Sequence, residues 1–523
     1  MPARPQMLVQ DSLLDSAVAF PRHALADEFG RRTYEELADD AMRVARLLQD
    51  EGLERGDRVA LYLDNTAQCA AAIFGTLLAG GVFVIVNPQT KAEKLAFILD
   101  DSGATFLISE GHSMHVAAEA VRLLRRDVRV FGTRAAAVEY SFPQLEQALL
   151  ATEARPAGSR SAPSDLAALV YTSGTTGRRK GVMLSHDALV FVVGSIAQYL
   201  RLDAGDRILN ILPLAYTYGL SQLLLAVRLG ATLLLERTFA FPSRTLERMH
   251  AEQATVFGAV PTVYATLIGM QHVRSYDSIR CLTNAAAALP PAFHDRIQRI
   301  FPNAKLFRMY GQTECVRISY LEPELITSRP TSVGSAIPGT EVFVLNDDGK
   351  QVAPGETGEL HVRGPHLMMG YWGDPHLTEE KLTSAAFPGE RILRTHDHFT
   401  VDEDGLLYFV GRSDDIIKTR GEKVSTAEIE NLLHGLAGVR QAAVVGVPDE
   451  LLGEAIRAYV VLEKGAELTK EDLLRYAASR LENYMVPREV VILDELPHTE
   501  SGKVRKRSLL ETAEDPAEVA RQA

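Results

Sequence analysis

Ala168-Leu-Val-Tyr-Thr-Ser-Gly-Thr-Thr-Gly-Arg-Arg-Lys-Gly-Val182 joins a short apolar run to a stretch of glycines, hydroxyls and cations. The run ending at Tyr171 reads as a buried strand and Leu184 to Tyr199 as a helix, so a strand-to-helix loop is predicted between them. Gly174, Gly177 and Gly181 let the backbone approach a ligand closely. Thr172, Ser173, Thr175 and Thr176 add hydroxyl donors and Lys180 adds charge, a set suited to a polyphosphate. The spacing from Gly174 to Lys180 is not that of a Walker A loop, so a different nucleotide chemistry is expected. Taken alone, the stretch reads equally well as a flexible surface turn. The downstream sequence separates the two.

With 523 residues and 46% hydrophobic content, the chain is long enough for two or more packed domains. A net charge of −13 gives no general attraction to nucleic acid, although Lys503, Arg505, Lys506 and Arg507 cluster near the end. Three cysteines, Cys69, Cys281 and Cys315, are too sparse for a disulfide framework or zinc-ligand spacing, which fits a reducing cytoplasm. Apolar runs such as Leu77 to Val86 are too short to span a bilayer, so no integral membrane association is expected.

Thr33 and Glu36 form a capping-box pair ahead of Leu37, Ala41, Val44 and Leu48, which recur at helical spacing. Strands are predicted at Arg58–Leu63, Gly81–Val86 and Ala104–Ser109, with helices between them, giving a largely parallel sheet covered by helices. Arg207–Leu212, Ala231–Glu236 and Thr255–Val260 supply a second α/β layer. Between about 331 and 411 the texture changes to short strands with glycine and proline turns, predicting a small β-barrel or sandwich. The expected fold is therefore α/β, with a large domain over 1–412 and a small α+β domain over 413–523.

Four further stretches carry chemistry: Arg308-Met-Tyr-Gly-Gln-Thr-Glu314, Arg394-Thr-His-Asp397, Gly411-Arg-Ser-Asp-Asp-Ile-Ile-Lys-Thr-Arg-Gly421 and Pro497-His-Thr-Glu-Ser-Gly-Lys503. In this order, with the glycine-rich stretch, they resemble the adenylate-forming superfamily: acyl- and aryl-coenzyme A synthetases, peptide-synthetase adenylation domains and luciferases. The resemblance covers nearly the whole chain and is strongest to an acyl-coenzyme A synthetase. It implies activation of a carboxylic acid with ATP and Mg2+ as an acyl-adenylate, then transfer to the thiol of coenzyme A. A carrier-protein phosphopantetheine is the alternative acceptor, and a nucleotide-binding homologue without catalysis is a third reading.

Residue by residue, the resemblance places Thr172, Ser173, Gly174, Thr175, Thr176, Gly177 and Lys180 on the β- and γ-phosphates. It puts Tyr310 and Gly311 at the adenine, Thr313 at the α-phosphate and Glu314 on magnesium. A carboxylate suits that hard cation. Asp397 is assigned to the ribose hydroxyls, Arg412 to the same region, and Lys503 to the substrate carboxylate and α-phosphate. Lys418 and Gly421 are assigned to the face that meets pantetheine, with Asp414 as the hinge about which the resemblance implies a mobile small domain. For Lys503 alone, a solvated charge run is the plainer reading, which the preceding Pro497–Gly502 pattern reverses.

The acid pocket is implied at Ala215–Leu220, with Tyr216, Tyr218 and Gly219, and at Thr283–Ala288, with Asn284, Ala285 and Ala286. The first segment has no aspartate to pair with a substrate ammonium, and an unpaired buried ammonium is costly, so an apolar aliphatic or aryl acid is expected. Three positions depart from the common pattern: His396 replaces a glycine, Tyr216 a histidine, and the alanine run a glycine-rich segment. His396 is expected to be a packed or partly exposed side chain. The alanine run reads either as core packing or as a substrate wall.

Overall fold

The computed structural model describes residues 7–20, 24–134, 140, 142–155, 161–173, 179–271, 273–385, 389–412, 416–419, 422–449, 453–498 and 504–511. Its first sheet has seven strands, in the order 370–371, 179–185, 166–173, 82–85, 58–62, 106–110 and 129–133. The last five run parallel. A second sheet contains the parallel strands Thr232–Leu235, Arg207–Asn210, Val256–Ala259, Cys281–Asn284 and Lys305–Tyr310. The helices Ala67–Leu78 and Thr217–Leu229 are apolar around most of their circumference and are buried accordingly. One continuous core contains residues of both sheets, including Leu61, Phe83, Leu209 and Phe257.

Thr33 accepts from the Glu36 backbone while Glu36 answers the Thr33 backbone, closing the predicted capping box at the start of Tyr34–Asp50. The glycine-rich stretch departs from expectation. It joins two antiparallel strands, Leu166–Ser173 and Arg179–Ser185, with Thr172 opposite Lys180 and Ser173 opposite Arg179. The stretch is a hairpin rather than a strand-to-helix loop. Val182 and Leu184 are fully buried and alternate with half-buried Met183, a two-residue period that continues the sheet. The helix starts only at His186, capped by the Ser185 hydroxyl, so the predicted start at Leu184 is two residues early.

The short strands expected between 331 and 411 are present and antiparallel. They are not set apart: Ser332–Ala336 bonds Leu407–Arg412 on one side and, through Ser319–Leu321, the parallel strand Lys305–Tyr310 on the other. This continuity places Asp397, on the strand Arg391–Val401, beside Tyr310. Beyond residue 412 a separate sheet, formed by 422–425, 416–419, 453–462 and 439–449 with 489–492 at its side, encloses its own apolar clusters. Among the described residues no helix is long and apolar enough to cross a membrane.

Candidate active site

Two other segments, at 310–312 and at 412, converge on Asp397, which is only 3% exposed. Tyr310, at the end of its strand, donates its hydroxyl to Oδ2 of Asp397. Gln312 Nε2 donates to the same oxygen at 2.8 Å and to the Thr395 carbonyl at 2.9 Å, and Arg412 Nε reaches Oδ1 at 3.2 Å. Antiparallel pairing of Asp397 with Arg412 brings that guanidinium to the carboxylate. Burial, then the Asp397 charge, drives the Tyr310 phenol far above its usual range, so it stays a hydrogen-bond donor.

The strand Arg391–Val401 that holds Asp397 is irregular at this point, where its register against Gly358–Arg363 shifts. His396, with φ +58°, occupies the left-handed region where glycine is favoured, which gives the departure at this position a physical meaning. Its backbone N–H donates to Glu359 Oε1 at 3.1 Å, while Arg394 Nη2 holds Oε2 at 2.7 Å. Burial opposes ionisation of Glu359, but Arg394 more than offsets this and its carboxyl titrates below the usual range. Lys381 Nζ donates to the Arg394 carbonyl at 3.3 Å and the Thr395 carbonyl at 3.1 Å, closing the other side. The imidazole itself is half-buried, as expected.

Glu314 stands on a second branch of the site. Tyr371 donates to its Oε1 at 2.6 Å, and the Met368 N–H donates to its carbonyl at 2.7 Å. Pairing of Gly370–Tyr371 with Val182 and Met183 brings the Tyr371 ring to Lys180, whose Nζ lies 5.6 Å from the ring centroid. A cation from the hairpin and a carboxylate from the Tyr310–Glu314 segment therefore meet across one aromatic ring. The second oxygen of Glu314 carries no hydrogen bond among the described residues, which leaves it available to a hard divalent cation. Elsewhere Asp64, Glu110 and His112 offer ligand atoms within 4.8 Å of one another. Arg134 at 2.8 Å from Glu110 and Arg237 at 2.5 Å from Asp64 already neutralise both carboxylates.

The expected pocket residues also meet. Tyr218 and Thr283 share a 2.7 Å hydroxyl hydrogen bond, and Asn87 Nδ2 donates to Tyr216 Oη at 3.0 Å. Gly219 is required where it stands, since a Cβ there would meet the Pro213 carbonyl oxygen at 2.2 Å. Asn284 and Ala285 are buried, whereas Ala286, Ala287 and Ala288 are exposed and Ala286 has φ +74°. Core packing is therefore excluded for the last three alanines. Gly311 and Thr313 are half-buried next to Gln312, and Thr172 is half-buried opposite Lys180. Ser173 ends its strand and Lys418 pairs with Lys423; the side chains of both, with Gly174, Thr175, Thr176, Gly177, Asp414, Gly421 and Lys503, lie outside the described residues.

Asp397 with its three donors, Glu314 and Lys180 on either side of Tyr371, and the bonded hydroxyls of Tyr218 and Thr283 are the parts this site brings together. The chain belongs to the AMP-binding enzyme family: that family's model matches residues 15–372, and the AMP-binding enzyme C-terminal domain matches 428–503. It is 30% identical to the long-chain-fatty-acid–CoA ligase of Bacillus subtilis (strain 168), over 97% of this chain and 95% of that protein. It is 34% identical to a feruloyl-CoA synthase of Amycolatopsis sp, over 92% and 95% respectively. Among solved structures, ATP-bound MatB from Rhodopseudomonas palustris superposes with a TM-score of 0.88 at 28% identity, covering 98% of this chain and 100% of that one.

Proposed function

We propose that this enzyme is an AMP-forming acid–coenzyme A ligase. A carboxylate oxygen of the acid attacks the α-phosphorus of ATP, a P–O bond to pyrophosphate breaks, and an acyl-adenylate forms. The coenzyme A sulfur then attacks the acyl carbon, the C–O bond to AMP breaks, and the thiol proton passes to solvent. The observation that carries this reading is the convergence of Tyr310, Gln312 and Arg412 on one buried carboxylate, Asp397, next to the Glu314–Tyr371–Lys180 group.

In this scheme Asp397 accepts from the ribose hydroxyls, and Tyr310 supplies an aromatic face to the adenine. Lys180 and the hairpin hydroxyls neutralise the leaving pyrophosphate, and Thr313 donates to the α-phosphate, where charge develops. Glu314 would hold Mg2+, which when bound screens the phosphate charge. Lys503 completes the adenylation site from the small domain, and rotation about Asp414 exchanges it for the Lys418–Gly421 face so that pantetheine can enter. We place the domain boundary at residues 412 and 413. A cytoplasmic location accords with three free, buried cysteines.

Support for coenzyme A over a carrier protein comes from the named ligases to which the chain is similar over most of its length. Pyrophosphate release measured with a panel of fatty and aromatic acids, with and without coenzyme A, tests the reading. Acid-dependent pyrophosphate followed by coenzyme A-dependent AMP release is expected. Release of AMP with a phosphopantetheinylated carrier but not with coenzyme A would overturn the choice of acceptor.

A further inference from the structure

One buried cation beside Tyr218 has nothing among the described residues to neutralise it. Arg317 is only 2% exposed, its Nε is buried without a hydrogen-bond partner, and its guanidinium joins no ion pair among the described residues. Its carbon lies 5.3 Å from the centroid of the Tyr218 ring, the same tyrosine whose hydroxyl is bonded to Thr283. The titratable side chains that feel its charge, Tyr199, Tyr218 and Cys315, are all kept neutral by burial, the Cys315 thiol being pushed up to about 12. A cation–π contact offsets only part of the cost of burying an unpaired guanidinium.

The backbone is bent to put this side chain where it is. The Arg317 N–H donates to the Cys315 carbonyl at 2.6 Å across Val316, whose φ is +62°. An i to i+2 hydrogen bond around a β-branched residue at positive φ is a strained γ-turn. Gly311 makes room for it, because a Cβ there would meet the Val316 carbonyl oxygen at 2.6 Å. Ile318 N–H returns to the Tyr310 carbonyl at 2.9 Å, so the turn is anchored to the adenine-side strand. Strain and an uncompensated charge therefore coincide three residues beyond Glu314.

We infer that Arg317 binds a second carboxylate on the acid, so that the preferred substrate is a dicarboxylic acid whose distal carboxylate reaches the guanidinium beside Tyr218. This rests on the ligase reading above and replaces the apolar acid expected from the sequence with one charged at both ends. The guanidinium offers a fork of N–H donors that matches a carboxylate, and the partner arrives with the substrate. An acid that lacks the second carboxylate leaves the buried charge unpaired, and the site discriminates against it.

The test compares matched pairs, hexanoate with adipate, octanoate with suberate and benzoate with terephthalate, by pyrophosphate release with hydroxylamine as acyl trap. The native enzyme should favour at least one diacid over its matched monoacid by roughly a hundredfold in kcat/KM, as expected for a lost hydrogen bond to a charged group. R317M should lower that ratio by about the same factor, and R317K should retain part of it. Melting of the free enzyme provides an independent reading. R317M should melt higher than the native protein, having shed an unpaired buried charge, and should lose the stabilisation that the preferred diacid confers.

Monoacids outrunning every matched diacid in the native enzyme would overturn the inference while leaving the ligase reading intact. A diacid preference unchanged in R317M would overturn it equally. A lower melting temperature for R317M, with no diacid-dependent shift in the native enzyme, would make Arg317 a structural cation on Tyr218. Absence of pyrophosphate with any acid would remove the ligase reading and this inference with it.

Discussion

Asp397→Asn tests the proposed contact of this carboxylate with the ribose. Oδ2 accepts from Tyr310 and from Gln312 at 2.8 Å, and Oδ1 accepts from Arg412 at 3.2 Å, so every described partner of the carboxylate is a donor. An asparagine must turn its NH2 toward one side or the other. Facing Arg412, it sets donor against donor. Facing Gln312, it requires that amide to flip, which breaks the 2.9 Å bond to the Thr395 carbonyl. One unsatisfied buried donor costs about 1–3 kcal/mol, and converting charge-assisted ribose bonds to neutral ones roughly halves their strength. The Arg412 pair contributes little of this, since Arg412 is half exposed. Together these effects predict a loss of about 2–3 kcal/mol in ATP binding, roughly 30- to 160-fold in affinity. The assay is pyrophosphate release against ATP and against 2′,3′-dideoxy-ATP, with a thermal melt as control. The native enzyme should prefer ATP strongly, and Asp397→Asn should lose most of that preference. An equal loss toward both nucleotides would refute the ribose assignment and make Asp397 a structural acid.

Lys503→Ala should cost adenylation about 3–4 kcal/mol, on the order of a thousandfold, while sparing thiolysis of supplied acyl-adenylate. Equal loss in both half-reactions would contradict that role. Tyr371→Phe removes the 2.6 Å bond to Glu314, so the half-saturating Mg2+ concentration should rise several-fold; an unchanged Mg2+ titration would separate Tyr371 from the metal site. Burial holds His186, His366 and His434 at pKa values of about 4 in the folded protein, and His186 Nδ1 accepts the Val9 N–H at 3.3 Å, which requires it to be unprotonated. The unfolded chain binds these protons near pH 6.5, so stability should be intact above that pH and fall toward pH 4 by up to about 4 kcal/mol per unit. Urea unfolding at stepped pH measures this slope, and a flat profile between pH 6.5 and 4.5 would contradict it.

Local rules are legible in the residues themselves. The Thr33–Glu36 box, the parallel strands and the Tyr310–Glu314 and Arg394–Asp397 motifs are continuous stretches whose chemistry reads without the fold. The hairpin at 166–185 was obscured because Arg179, Lys180 and Gly181 open its second strand with residues that punctuate loops, leaving only Val182 and Leu184 to show the strand period. Tyr371, Lys381 and Glu359 escaped for another reason. They meet Glu314 and the strand irregularity before Asp397 across separations such as 57 and 37 residues, which only the sheet order brings together. Glu359 had one distant signal: a non-glycine residue at 396 needs something to hold its positive φ. Arg317 had none, because a guanidinium becomes informative only once its burial and lack of a counter-ion are known.

The central claim is that the acid's own oxygen becomes bonded to the α-phosphorus before the thiol attacks. The most direct measurement uses an accepted acid labelled with 18O in both carboxylate oxygens, turned over with ATP and coenzyme A, with the products analysed by mass spectrometry. Thiolysis breaks the C–O bond of the adenylate, so each AMP should carry one 18O and each thioester should keep the other. Unlabelled AMP, or 18O recovered in inorganic phosphate or pyrophosphate, would contradict an acyl-adenylate intermediate.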